Sequence, residues 1–282
     1  MKQPSDIPLL LLEGSPLERG RTHGETFRSE IRDLIAVWRS RLQKYTGMDP
    51  DHYLAAFLAG TDFQVAAERW TPGLLAEVQG IADGAGLDFQ TMFAHQLADE
   101  EWWYRKKGFS TSMPPANRCS AVGISAGVGH SSLLAQTLDL PNYYSGYLAV
   151  LHIKYSDSDL EMLVVTQVGV VASNGLNNYS VSVCVNTLSQ LDPAPDGLPV
   201  DFVVRGVLEQ TTLADAAAFL GRVKHASGQN YLIGGPDAVL DYECSANQVR
   251  EFSPYPGVTR VCHTNHPVMN DTATASQLTR LG

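Results

Sequence analysis

The sequence predicts an α+β protein in which stacked antiparallel sheets are covered by helices, and three observations carry this. Residues 16–103 read at helical period almost throughout, residues 121–185 read as short β-branched runs cut by Gly, Asn, Asp and Pro, and two amphipathic helices then precede a return to strands. Strands, then helices, then strands, behind a helical block, fit sheets packed face to face with helices outside them. The texture changes abruptly at Cys119.

In chain order, residues 7–12 are an apolar run closed by Glu13-Gly14-Ser15-Pro16, a strand and a turn. From Pro16 one helical segment presents Phe27, Ile31, Leu34, Ile35 and Trp38 on one face, with Arg39, Arg41 and Lys44 on the other face and in the last turn. Residues 52–58, 63–70 and 74–82 are further amphipathic helices, punctuated by Pro72-Gly73 and Gly84-Ala85-Gly86. Residues 89–103 read as one helix rich in aromatic and acidic side chains, Arg105-Lys106-Lys107 as a solvated loop, and 108–118 as a polar, Pro-containing connector. Strands are expected at 121–124, 133–137, 148–154, 161–165, 169–172 and 180–185, helices at 201–210 and 213–223, and strands again at 230–233, 238–242 and 248–252. Thr211 or Thr212 caps the second of those helices, with Asp215 in its first turn.

Composition bounds the function. A chain of 282 residues with 44% hydrophobic and 18% charged residues buries a sizeable core. A net charge of −10 and a pI near 5.2 exclude nucleic acid and anionic membranes as partners, since both repel an acidic surface. No apolar run approaches the roughly 20 residues of a membrane span, and no charged, then apolar, leader opens the chain. The 4 cysteines, at 119, 184, 244 and 262, lack paired spacing, which fits a reducing compartment. A cytoplasmic protein without a cofactor is the expectation.

Three groups of residues could carry chemistry. Cys119 opens an apolar strand directly behind the connector, where a buried packing cysteine is the plain alternative. If 121–124 and 133–137 pair over Gly127-Val128-Gly129-His130, Asp139 returns beside Cys119; its other reading is a turn residue before Pro141. Asn174, Asn177, Asn178, Asn186 and Asn230 offer amide donors suited to a developing oxyanion, against the ordinary reading of Asn as a turn former. Cys262-His263-Thr264-Asn265-His266 with Cys244 invites a metal site, but lacks the regular ligand pairs of a tetrahedral centre. Neither a Gly-x-Ser-x-Gly elbow nor a phosphate-binding Gly-x-x-x-x-Gly-Lys run is present.

A series of motifs is more specific than any of these. Glu13-Gly14-Ser15-Pro16-Leu17-Glu18-Arg19-Gly20-Arg21-Thr22-His23-Gly24, Glu77-Val78-Gln79-Gly80-Ile81-Ala82-Asp83-Gly84-Ala85, the Cys119 strand, Gln136-Thr137-Leu138-Asp139, Gly175-Leu176-Asn177 through Asn186-Thr187-Leu188, Asn230-Tyr231-Leu232 and His263-Thr264-Asn265-His266 resemble, in order, the isopenicillin-N acyltransferase family of cysteine N-terminal nucleophile hydrolases. The resemblance implies a four-layer αββα sandwich and a precursor that cuts itself between Arg118 and Cys119. It implies an N-terminal segment 1–118 and a catalytic segment 119–282 that remain together as one domain. By resemblance Cys119 is the nucleophile, Asp139 the acid beside it and Asn230 the oxyanion donor, while Gln136, Asn186, His266, Ser276 and Arg280 match substrate-pocket positions. Gln136 stands where the bile-salt hydrolase and penicillin V acylase relatives carry arginine, which favours the acyltransferase branch. The sequence stops soon after His266, where the family leads one to expect a further helical segment.

The implied chemistry is cleavage or transfer of the acyl group of a small N-acyl amide or acyl thioester, acyl-CoA among the donors, to water or an amine. A thiol-dependent ester or lactone hydrolase on the same cysteine, and a catalytically silent binding protein of the same fold, are the rival readings.

Overall fold

A computed structural model describes residues 7–105 in full, the backbone of 106–108, and residues 119–252 and 258–269. After strand β1, Leu9–Leu12, helix α1, Pro16–Thr26, begins on a reciprocal cap: the Glu18 N–H donates to Ser15 Oγ and the Ser15 N–H donates to the Glu18 carboxylate. The helical segment expected to run on from there breaks at Phe27, whose φ of −108° and ψ of 27° lie outside the helical well, and resumes as α2, Arg28–Thr46. Helices α3, Pro50–Ala59, α4, Phe63–Trp70, and α5, Pro72–Ala85, follow. The acidic aromatic stretch is likewise two helices, α6, Phe89–Gln96, and α7, Ala98–Gly108, parted at Leu97. Arg105 is no loop residue: it lies in α7, 7% exposed, with its guanidinium on Glu101 at 2.9 Å.

Helices α1 and α5 cross with their backbones in contact. A Cβ on Gly20 would lie 1.9 Å from the Glu77 carbonyl oxygen and one on Gly80 would lie 2.2 Å from that of Leu17, so hydrogen is the only side chain that fits. This crossing seats Glu77 between two arginines. Arg19 Nη2 approaches it at 3.3 Å, and Arg205 from the later helix α8, Val200–Leu208, at 2.8 Å.

The remaining strands are β2, Ser120–Ile124, β3, Leu133–Thr137, β4, Leu148–Lys154, β5, Glu161–Gln167, β6, Asn174–Asn177, β7, Ser182–Thr187, β8, Gln229–Gly234, β9, Val239–Cys244, β10, Val249–Phe252, and β11, Arg260–His263; helix α9, Leu213–Arg222, precedes β8. Among the described residues they form an eight-stranded sheet in the order β1-β4-β5-β6-β7-β8-β9-β10 and a three-stranded sheet in the order β11-β2-β3, antiparallel except where β1 meets β4. Alternation sorts the two faces of the large sheet. Leu151, Val164, Val183 and Tyr231 join the helices in the main core, whereas Cys184 and Leu232 face Ala121 and Val261 of the small sheet. Helices, large sheet and small sheet are thus stacked in that order, three of the four layers of an αββα sandwich.

Two sequence expectations fail for one reason. The apolar run 169–172 is buried yet is no strand, because the chain turns at Gly169, with φ +86°, and side chains take its peptide groups. His23 Nε2 accepts from the Gly169 N–H at 2.9 Å, Gln96 Nε2 donates to the Gly169 carbonyl at 2.7 Å, and Gln96 Oε1 accepts from Val171 N–H at 2.9 Å. The strand starts instead at Asn174, a residue whose turn reading is thereby overturned. No described helix is long and apolar enough to cross a membrane.

Candidate active site

The hairpin predicted around Cys119 forms. Strands β2 and β3 pair with Ser120 opposite Thr137, and Gly127 bridges to His130 at the turn. Antiparallel register therefore returns residues 138 and 139 to the level of Cys119, and the backbone N–H of Asp139 donates to the cysteine sulfur. Cys119 is 4% exposed and, with Asp139, lines a cavity of about 780 Å³. That volume suits a small molecule.

Burial pushes the Cys119 thiol above its ordinary value; the Asp139 amide opposes this, and the charges of Asp99 and Asp139 add to it. Held this way the sulfur is a neutral thiol at neutral pH, so it needs a base before it can attack.

Asp99 is a residue that the sequence reading missed. It stands in the first turn of α7 and lines the same cavity, where its carboxylate accepts from Thr187 Oγ1 at 2.9 Å and Gln229 Nε2 at 3.0 Å. Beside it Glu100 accepts from Ser227 Oγ at 2.7 Å and from the Val200 N–H at 3.0 Å, and burial together with the Asp99 charge pushes its carboxyl up to about 7. Asp201, on α8, is raised well above the usual carboxylate range by burial and then by Glu100 and Asp99. The only sequence signal was the acidic run Asp99-Glu100-Glu101, which any solvated helix start would show.

Between the sheets runs a polar brace. Gln136 Nε2 donates to Asn186 Oδ1 at 3.0 Å, Asn174 Nδ2 donates to Gln136 Oε1 at 3.2 Å, and Asn186 Nδ2 donates to the His263 carbonyl at 2.8 Å. Asn230 lies opposite Asn186 across β7 and β8, 1% exposed, with its amide donating to Asp241 and its Oδ1 unpartnered. It does not line the cavity that Cys119 lines. Asn177, the last residue of β6, holds the Leu208 and Gln210 carbonyls with its amide and accepts from the Val181 N–H of the turn that follows, and Asn178, in that turn, accepts from the Glu161 N–H at 3.0 Å.

His263 faces acceptors on both ring nitrogens, Thr264 O at 2.8 Å and Glu243 Oε1 at 3.0 Å, so both nitrogens carry protons. Burial opposes that charge, but the Glu243 hydrogen bond and Asp241 outweigh it and the imidazole titrates above its ordinary value. Cys262, next in line on β11, is exposed on the opposite face, and Cys244 is fully buried on β9. Alternation along β11 turns Cys262 and His263 to opposite faces, and among the described residues no three coordinating side chains converge. His266 touches Thr264 Oγ1 at 3.3 Å and stays off the cavity wall. Arg118, Ser276 and Arg280 lie outside the described residues.

The family model of acyl-coenzyme A:6-aminopenicillanic acid acyl-transferase matches residues 129–280, a span holding Asp139 and Asn230. The chain is similar to the 40 kDa form of acyl-coenzyme A:6-aminopenicillanic-acid-acyltransferase of Emericella nidulans, 24% identical over 280 residues that make up 95% of this chain and 72% of that protein. Among solved structures it matches the penicillin V acylase of Agrobacterium tumefaciens at 13% identity and a TM-score of 0.28, covering 55% of this chain and 44% of that one, a likeness too slight to carry an argument. Since the family model alone spans more than half of the sequence, the chain belongs to the acyl-coenzyme A:6-aminopenicillanic acid acyl-transferase family.

Proposed function

We propose that the chain is a self-processing cysteine amidohydrolase or acyltransferase that works through an acyl-Cys119 thioester. The observation that carries this is the placement of the Cys119 sulfur on a cavity wall, against the Asp139 amide, in a chain of an acyl-transferring family.

In the continuous chain the Cys119 nitrogen is an amide and accepts no proton. Cutting before Cys119 turns it into an α-amine with pKa about 8, a base matched to a thiol whose ordinary pKa is about 8.5. The buried, carboxylate-flanked setting that holds the thiol neutral gives this base its purpose. The amine takes the thiol proton, the sulfur adds to the acyl carbon, and the resulting alkoxide collapses to a thioester as the leaving amine or thiolate takes that proton. Water or a second amine then releases the acyl group. Asp139 orients the α-amine, and Asn230, which stands off the cavity wall in the uncut chain with one N–H given to Asp241, offers its second N–H to the oxyanion in the cut chain. Residues 1–118 and 119–282 are the two fragments of the mature protein, and an N-acyl amide or acyl-CoA is the donor.

Acid-quenched turnover analysed by peptide mass spectrometry tests this. The acyl mass is expected on the peptide that begins at Cys119, labile to hydroxylamine as a thioester is. An acyl group on any other side chain, or turnover that survives Cys119→Ala, contradicts it.

A further inference from the structure

The cavity that Cys119 lines holds two guanidinium groups with different company. Arg105 is paired with Glu101 at 2.9 Å. Arg41, on α2, has no carboxylate paired with it among the described residues. Its Nη2 donates to Tyr45 Oη at 2.8 Å, and its guanidinium lies over the Tyr143 ring at 4.7 Å and toward the Tyr45 ring at 5.6 Å. A guanidinium has five N–H donors, and among the described residues this one gives a single donor to a phenol. The two rings hold its plane and leave the rest of the fork to the cavity.

Of the carboxyls on that wall, Glu101 is paired with Arg105, Asp99 accepts from Thr187 Oγ1 and Gln229 Nε2, and burial raises Asp201 well above the usual carboxylate range. Asp139 stands at the sulfur itself. Arg41 is therefore, among the described residues, a cation on the helix side of the cavity with no carboxylate against it. A neutral acyl compound would leave that cation unused.

We propose that Arg41 binds an oxyanion of the substrate, a carboxylate or a phosphate, and so selects acyl compounds that carry a negative charge away from the scissile carbonyl. This rests on the reading of Cys119 as the nucleophile and names the substrate class of that same site. Arg41 takes no part in bond making; it sets which molecule is held. A planar, always-charged fork suits either oxyanion, and an engaged charge-assisted pair raises affinity by roughly tenfold to a hundredfold.

The test uses alkylating probes, which report on the site without requiring that the natural substrate be known. Bromoacetyl-β-alanine carries a carboxylate, bromoacetyl-ethanolamine phosphate carries a phosphate, and bromoacetyl-β-alaninamide is neutral. With each, the Cys119 sulfur displaces bromide and gives up its proton, and the rate is read on the Cys119 peptide by mass spectrometry. Wild-type protein should alkylate faster with at least one anionic probe than with the amide, and whichever leads identifies the oxyanion. In Arg41→Gln the ratio of anionic to neutral rates should fall about tenfold or more, and Arg41→Lys should keep part of it. A ratio that is unchanged in Arg41→Gln, however slow both reactions become, overturns the role of Arg41 and leaves the nucleophile intact. Wild-type Cys119 that resists all three probes overturns the nucleophile reading and this inference with it.

Discussion

Two groups of buried carboxyls in this protein sit in opposite electrostatic settings. Glu77, in the helical layer, meets Arg205 at 2.8 Å and Arg19 at 3.3 Å; burial works against its charge, but the two guanidinium groups outweigh burial and hold the carboxyl below its usual range. Asp99 and Glu100, in the first turn of α7, and Asp201, at the start of α8, meet among the described residues only neutral donors and one another, and burial raises all three. The first group is a closed account of charge that ties α1, α5 and α8 together. The second is left uncompensated beside Cys119. Stored electrostatic stress of that kind gathers at functional sites, whereas structural ion networks are balanced.

The comparison breaks most readily at its balanced end. Glu77→Ala leaves Arg19 and Arg205 buried without their partner, and should cost about 3–5 kcal/mol of unfolding free energy, read as a fall in the urea midpoint. A loss under about 1 kcal/mol would place Glu77 among the weak surface pairs instead.

At the other end the sign reverses. Glu100 titrates near 4.5 unfolded and at about 7 folded. Between those values the folded chain binds a proton that the unfolded chain does not, so stability falls as pH rises through that window. Glu100→Gln lacks this loss. Relative to wild type it should gain on the order of 3 kcal/mol between pH 4 and pH 8, measured by denaturant titrations across pH. A difference that stays level with pH would mean that Glu100 has a cation partner after all.

The smallest effect is at Asp99. Its charge contributes to raising the Cys119 thiol, after burial. Asp99→Asn should shift the midpoint of the pH–alkylation curve of Cys119 downward, by less than about one unit. An upward shift would mean that Asp99 acts through its hydrogen bonds to Thr187 and Gln229.

How far these sites were legible in the sequence follows from how local they are. The reach from Cys119 to Asp139 needs one hairpin, and period-2 runs around a Gly-rich turn announce a hairpin. Asp99 reaches Cys119 only through the docking of α7 on β7 and β8, with Thr187 and Gln229 as its contacts, and no spacing along the chain encodes that. The breaks at Phe27 and Leu97 involve neither Gly nor Pro, so no breaker residue marks them; each is a single residue with ψ near +27°. Arg105 looked solvated because its partner Glu101 sits one helical turn away on a helix that had been expected to end sooner. Burial reads clearly in residues 169–172 and conformation does not, since a buried turn and a buried strand are equally apolar.

All of this turns on Cys119 gaining a free amine. The most direct measurement is N-terminal sequencing with intact mass determination on freshly purified wild-type protein and on Cys119→Ala. The account predicts a wild-type fragment that begins Cys-Ser-Ala-Val, remaining with the segment that ends at Arg118, and a Cys119→Ala chain that stays whole and inactive. A wild-type enzyme that turns over an acyl substrate as one uncut chain would contradict it.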